Sequence, residues 1–287
     1  MIGETKYGHL VKTMSYKEGR GGANARQMTF QKGEDLAGFD LNFIIGVYDQ
    51  VGDWAPNRGA HAHPFAECLF FFGYDPDDLS YLGADMELHM GKEYEKHLFS
   101  VPMVVAAPGG LAHCPLLTNK VYKPFGHFHL ALNPGYAAVP VKQEGTTDGK
   151  KYSKYFKKLP VKKGPGGADA KERWAISGND VAGFALNVSM GIHNKAGAWH
   201  PGQGAHVHPY NECLVFFGHD VNNPGYLGAE LTIDIGKEHE KHTFNVPTAV
   251  SIPKGTPHFP IVCNKVEKPY RFVQIGLGAK YESTPAD

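Results

Sequence analysis

What most limits how this chain can fold is an internal repeat: its two halves align without a gap at an offset of 145 residues. Residues 59–73 return as 204–218 with 11 of 15 positions identical, and 81–102 return as 226–247 with 13 of 22. Trp54 recurs as Trp199 and Asn119 as Asn264. Whatever one half folds into, the other must fold into as well, and 287 residues leave each copy enough chain for its own core. The division is expected in the polar, glycine-bearing stretch before residue 150, giving units 1–140 and 141–287. The match also runs upstream. Lys6-Tyr7 is answered by Lys151-Tyr152, and residues 19–23 by the glycine-rich 164–168. A segment used twice in register is expected to be a packed arm or strand of each unit, not a tether.

Within each copy the pattern is β. Residues 40–50, 60–72, 86–90, 97–101 and 126–132 alternate or run apolar over strand-like lengths, with Gly, Pro, Asn or Asp between them. One short helix is predicted, over 152–158. Many short strands among 35 Gly and 20 Pro predict an all-β sandwich or barrel. The two barrels are expected to pack through apolar sheet faces about a pseudo-twofold axis, as in a fused dimer.

Composition removes several function classes. Equal numbers of basic and acidic side chains, 29 each, exclude nucleic acid and an anionic membrane surface as expected partners. No apolar run approaches the ~20 residues needed to span a bilayer. Residues 1–9 carry no apolar signal core, so a cytoplasmic location is expected. Cys68, Cys114, Cys213 and Cys263 show no CxxC spacing and read as reduced thiols. The acidic turn at Asp75 lacks its carboxylates in the second copy, and Gly21-Gly22 and Gly166-Gly167 precede no phosphate-loop lysine.

The 16 histidines do ask for an explanation. Side chains alternate along a strand, so residues at even spacing share a face. His61, His63 and Glu67 are then expected on one face, and His206, His208 and Glu212 on another. His113 and His258 each follow a turn. Three imidazoles and one carboxylate suit a divalent Mn, Fe, Co, Ni, Cu or Zn ion and leave positions open for a ligand. A lone histidine on an apolar strand is usually a core residue. A whole set recurring with the same internal spacing is not.

These residues make up two motifs by which the chain resembles the cupin superfamily, and in particular a bicupin. Gly59, His61, His63, Glu67 and Gly73 match the first motif, as do Gly204, His206, His208, Glu212 and Gly218. Pro108, Gly110, His113, Pro115 and Asn119 match the second, as do Pro253, Gly255, His258, Pro260 and Asn264. The resemblance covers nearly the whole chain. It implies two double-stranded β-helix barrels, each with one metal ion, Mn or Fe foremost. In oxalate-degrading bicupins an arginine at the offset of Arg58 holds the substrate carboxylate, and Arg58 resembles it; His61-Ala62-His63 replaces that subgroup's His-Trp-His.

Positions that differ between the copies carry the remaining expectations. Arg58 is replaced by Gln203, and His127 and His129 by Phe272 and Gln274. Facing inward, His129 would bond to Glu67 or exchange a proton near the metal. Facing outward, it would be a surface histidine. Phe65, Leu69 and Phe71, with Tyr210, Leu214 and Phe216, are expected on the ligand-bearing faces, either lining a pocket or filling the barrel. Gln203 and Gln274 are expected beside the second pocket. His97 and His242 read as structural hydrogen-bonders. The expected activity is a metal-dependent lyase or hydrolase acting on a small carbonyl, carboxylate or phenolic compound. An Fe-dependent ring-opening dioxygenase, an isomerase and a non-enzymatic metal-binding protein are the alternatives. Homo-oligomerisation stays open.

Overall fold

A computed structural model describes residues 5–18, 25–56, 58–75, 77–147, 149–163 and 170–286, so the glycine-rich matches at 19–23 and 164–168 lie outside the described residues. Each half closes as two facing antiparallel sheets. In the first half the larger sheet runs Phe156–Lys158, Met103–Ala107, Glu67–Gly73, Phe125–Ala131, Asn42–Tyr48, Ala25–Gln31 and Lys17–Glu18. The smaller runs Val139–Pro140, His61–Ala62, His113–Val121, Ala84–Met90 and Glu95–Phe99. The second half repeats both sheets.

Burial along the strands explains their two kinds of sequence. Ala84–Met90 alternates, burying Ala84, Met86, Leu88 and Met90 while Asp85, Glu87 and His89 stay half-exposed. That strand faces one core. Glu67–Gly73 and Phe125–Ala131 are buried at every position, because one face fills the barrel and the other meets the opposite half. Phe71, Leu88 and Phe125 thus belong to the interior of the first barrel. Phe70, Phe128 and Val104 pack with Trp174, Val215 and Val273 between the barrels, where Phe70 stacks on Trp174 with ring centroids 5.4 Å apart. Cys68 and Cys213 lie in this shared core as free thiols.

Two sequence expectations change here. The stretch 60–72 is not one strand. His61–Ala62 belongs to the smaller sheet and Glu67–Gly73 to the larger, with a bend between them at Pro64, which has no N–H to continue a ladder. The helix predicted over 152–158 is a single 3-10 turn, Ser153–Tyr155, followed by the strand Phe156–Lys158.

That strand crosses the division expected near residue 140. Phe156–Lys158 pairs with Met103–Ala107 of the first half, and Val11–Thr13 pairs with Thr248–Ile252 of the second. The repeated Lys-Tyr pair secures each exchanged arm. The backbone N–H groups of Lys6 and Tyr7 both donate to Glu240, and the Lys6 ammonium lies 2.6 Å from Glu238. Lys151 and Tyr152 treat Glu95 and Glu93 in the same way. The two tyrosine rings cover Gly91 and Gly236. Both glycines have φ near +80°, and an added Cβ would stand 2.4 Å from the Tyr152 ring or 2.2 Å from that of Tyr7.

One feature between the barrels has no symmetric partner. Arg271 is completely buried. Its Nε donates to His219 Nδ1 at 3.0 Å and its Nη2 to the Gly73 carbonyl at 2.5 Å, and its guanidinium lies 4.8 Å and 4.6 Å from the rings of Phe72 and Tyr74. The equivalent position in the first half is Gly126, where the Phe72 ring leaves no room for a Cβ. Among the described residues no carboxylate pairs with Arg271, and burial pushes its pKa down to about 10.

Candidate metal centres

Register sets the histidine clusters. His61 pairs directly with His113, and His206 with His258, so each short strand brings its first imidazole opposite the one that follows the Gly turn. His63 and His208 stand just beyond. Glu67 opens its strand between Ala107 and Ala131, whose small side chains leave space around the carboxylate. The ligand atoms of His61, His63 and His113 lie within 4.8 Å of one another, as do those of His206, His208 and His258. Ring separations agree closely between the halves: 4.9, 4.5 and 5.3 Å in the first against 4.9, 4.4 and 5.1 Å in the second.

Backbone carbonyls fix the tautomers. His63 Nδ1 donates to the Ala137 carbonyl and His113 Nδ1 to Leu111, 3.1 Å away. His208 and His258 donate to Glu282 and Thr256 at 2.6 Å and 3.3 Å. A carbonyl only accepts, so each Nδ1 carries the proton and each Nε2 presents a lone pair. Yet these Nε2 atoms face carboxylate oxygens: His113 to Glu67 at 2.7 Å, His63 to Glu67 at 3.3 Å, and His258 and His208 to Glu212 at 3.0 Å and 3.3 Å. Lone pairs converging in a buried site repel unless a cation lies among them. The donor set fits a divalent ion in both halves. Burial, together with the neighbouring imidazoles, pushes His61 and His206 down to about 4, so both are neutral and ready to ligate at neutral pH.

His129 faces inward. Its Nε2 lies 2.6 Å from Glu67 Oε2, and Gln274 takes the same place in the second half, its Nε2 donating to Glu212 Oε1 at 3.0 Å. His127 lies above it, its Nδ1 donating to the Phe70 carbonyl, and burial pushes it down to about 3.

A cavity opens at each cluster, of about 600 Å³ in the first half and about 660 Å³ in the second. The first is bounded by Met28, Ile44, Tyr48, Trp54, His127 and Tyr136 as well as by its cluster, and the exposed Arg58 stands at its edge. Gln203 and Gln274 border the second. Four expected lining residues are placed elsewhere. Phe71 packs in the closed end of the barrel against Trp54, Phe99 and His127, and Phe216 against Trp199, Phe244 and Phe272. Phe65 and Tyr210 stack on His63 and His208 and are absent from the walls. Leu69 and Leu214, two residues beyond the carboxylates, form the walls instead.

Sequence reasoning passed over Tyr136 and Tyr281, which stand edge-on to His63 and His208 at 5.1 Å and 5.3 Å and line the two cavities. Their recurrence at the 145-residue offset was the available signal. The loops carrying them also supply the Ala137 and Glu282 carbonyls, and Asn42 and Asn187 hold those loops by donating to Asn133 and Gly278.

Two buried histidines in the second half give a test of electrostatics away from the ligands. Burial pushes His193 down to about 3, and burial with the Arg271 charge pushes His219 down to about 2. The unfolded chain binds these protons below pH ~6.5 while the folded chain refuses them, so each costs up to about 1.4 kcal/mol of stability per pH unit below that point. In chelator-treated protein, His219→Tyr (the residue of the first half, Tyr74) should lose about 1–2 kcal/mol less than wild type between pH 7 and pH 5 in urea titrations. Parallel losses in the two proteins would refute this origin.

The fold defines a chain of two tandem cupin barrels, a bicupin architecture, and each barrel carries a histidine cluster with the spacing to hold a metal ion. No protein-family profile matches the chain, and no curated protein matches it in sequence. Solved structures do match. An arginine-to-alanine variant of Bacillus subtilis oxalate decarboxylase superposes with a TM-score of 0.61 at 10% identity, over 96% of this chain and 78% of that one. A serine-to-alanine variant gives 0.62 at 10% identity with the same coverage. The structure used to assign the Mn(II) centres of that decarboxylase gives 0.59 at 11% identity, again over 96% and 78%. Among the described residues, no helix is long and apolar enough to cross a membrane.

Proposed function

We propose that this bicupin is a metal-dependent enzyme that cleaves or rearranges a small carbonyl, carboxylate or phenolic compound, by decarboxylation or hydrolytic C–C cleavage. The observation that carries this reading is the convergence of His61, His63, His113 and Glu67 on an open cavity that the Arg58 guanidinium and the buried His129 imidazole also border. A divalent ion held there, Mn(II) foremost because the similar decarboxylase has Mn(II) centres, would supply Lewis-acid polarisation of a substrate oxygen. Arg58 offers a two-pronged donor to a substrate carboxylate or enolate. His129, held to Glu67 through Nε2, orients that carboxylate beside the cavity. Tyr48 and Trp54, stacked 3.9 Å apart, help exclude water. A cavity of about 600 Å³ with aromatic walls suits a substrate larger than a two-carbon acid. Cytoplasmic operation, and units of residues 1–140 and 141–287 that exchange their arms, belong to the same proposal.

The aromatic wall also favours a second reading, ring opening of a phenol by an Fe-loaded first site. One experiment separates the two: Mn- and Fe-loaded protein is assayed on β-dicarbonyl and phenolic acids with and without oxygen. Anaerobic turnover by the Mn form supports the lyase or hydrolase reading. Turnover that requires Fe and consumes oxygen supports the dioxygenase, and no turnover in either form counts against both.

A further inference from the structure

The two cavities differ most on the wall away from the histidine clusters. In the larger sheet of the second half, Glu212–Gly218, Tyr270–Gly276, Asn187–His193 and Ala170–Ile176 are successive neighbours. Polar side chains step across these four strands. Gln274 donates to Glu212 at 3.0 Å, Ser189 Oγ bonds Gln274 Oε1 at 3.4 Å, and Arg173 lies on the next strand. All four line the cavity. The same positions in the first half are Glu67, His129, Ile44 and Met28, so that row turns apolar after His129. The cations are therefore placed differently: Arg58 stands at the exposed edge of the first cavity, Arg173 three strands from Glu212 in the second. At ~4.8 Å per strand and ~3.3 Å per residue, three strands across and four residues along separate the two backbones by roughly 19 Å.

We propose that the second cavity binds an elongated ligand, with a metal-binding oxygen group at one end and a carboxylate at the other that Arg173 holds. The half-buried guanidinium suits a carboxylate through paired, charge-assisted hydrogen bonds. Between the ends, Leu214, Trp199 and Phe272 offer apolar walls to a carbon chain. This goes beyond the proposed reaction, and only its near end rests on the reading that His206, His208, His258 and Glu212 hold a divalent ion.

Adipate and hexanoate test it, since they match in chain length and differ in the distal carboxylate. Binding is measured by calorimetry on Mn(II)-loaded and metal-free protein. Adipate should bind wild type, and Arg173→Met, which installs the first half's residue, should weaken it by roughly ten- to a hundred-fold. Arg173→Lys should lose less. Hexanoate should bind wild type and Arg173→Met alike. Metal content of the Arg173 variants should match wild type. If only the metal reading failed, Mn(II) would not tighten adipate, yet the Arg173→Met loss would persist in the metal-free protein. No adipate binding to wild type, adipate binding unchanged in Arg173→Met, or hexanoate binding as tight as adipate would overturn the proposal.

Discussion

Replacing Arg271 by alanine is expected to destabilise the protein by about 3–5 kcal/mol, the cost of breaking a buried polar cluster and opening a cavity beside it. The guanidinium fills space between the barrels, and its removal leaves the Gly73 carbonyl and His219 Nδ1 without their donor. The comparison that isolates this effect is Arg271→Met. Methionine keeps much of the volume but leaves the same carbonyl and imidazole without their donor, so it removes the cavity and keeps the unpaired acceptors. Urea unfolding at constant slope should therefore rank wild type first, Arg271→Met about 1–3 kcal/mol below it and Arg271→Ala lowest. Equal losses in both variants would show that the charge-assisted bonds, and not the filled space, dominate. No loss in either would remove Arg271 from the account of the interface.

Arg58→Gln gives the first site the second half's residue and is expected to lower kcat/KM by roughly ten- to a hundred-fold on an anionic substrate. That is the ~1.5–3 kcal/mol of a charge-assisted hydrogen bond. Arg58 lines the cavity without being a ligand, so the first metal should stay bound. Gln203→Ala should matter much less, because a neutral amide holds a carboxylate weakly. Full activity in Arg58→Gln with none in Gln203→Ala would make the second half the working site.

The repeat and its turn-rich β pattern carried the fold, because local periodicity and a fixed offset are properties of sequence alone. The histidine clusters were legible for a reason the structure revises. Even spacing grouped His61, His63 and Glu67 as if on one strand, whereas a bend at Pro64 sends them to two sheets whose edges meet at the cluster. The arm exchange was hidden, since Phe156–Lys158 reads the same whichever barrel it pairs with. Depth was hidden too. Leu69 and Phe71 share a face, but only the residue nearer the carboxylate reaches the cavity, and the closed end takes the ring. Arg173 and Arg271 stand in neither motif, and only strand order shows one beside a cavity and the other between barrels.

The account stands or falls on two metal centres in one chain. Protein purified without chelator is to be analysed for metal by mass spectrometry, alongside His61→Ala and His206→Ala. Close to two divalent ions per wild-type chain are expected, and close to one in each variant, because each substitution leaves two of the three clustered imidazoles in one site and all three in the other. A wild-type chain without stoichiometric metal, or a stoichiometry that neither substitution changes, would contradict it.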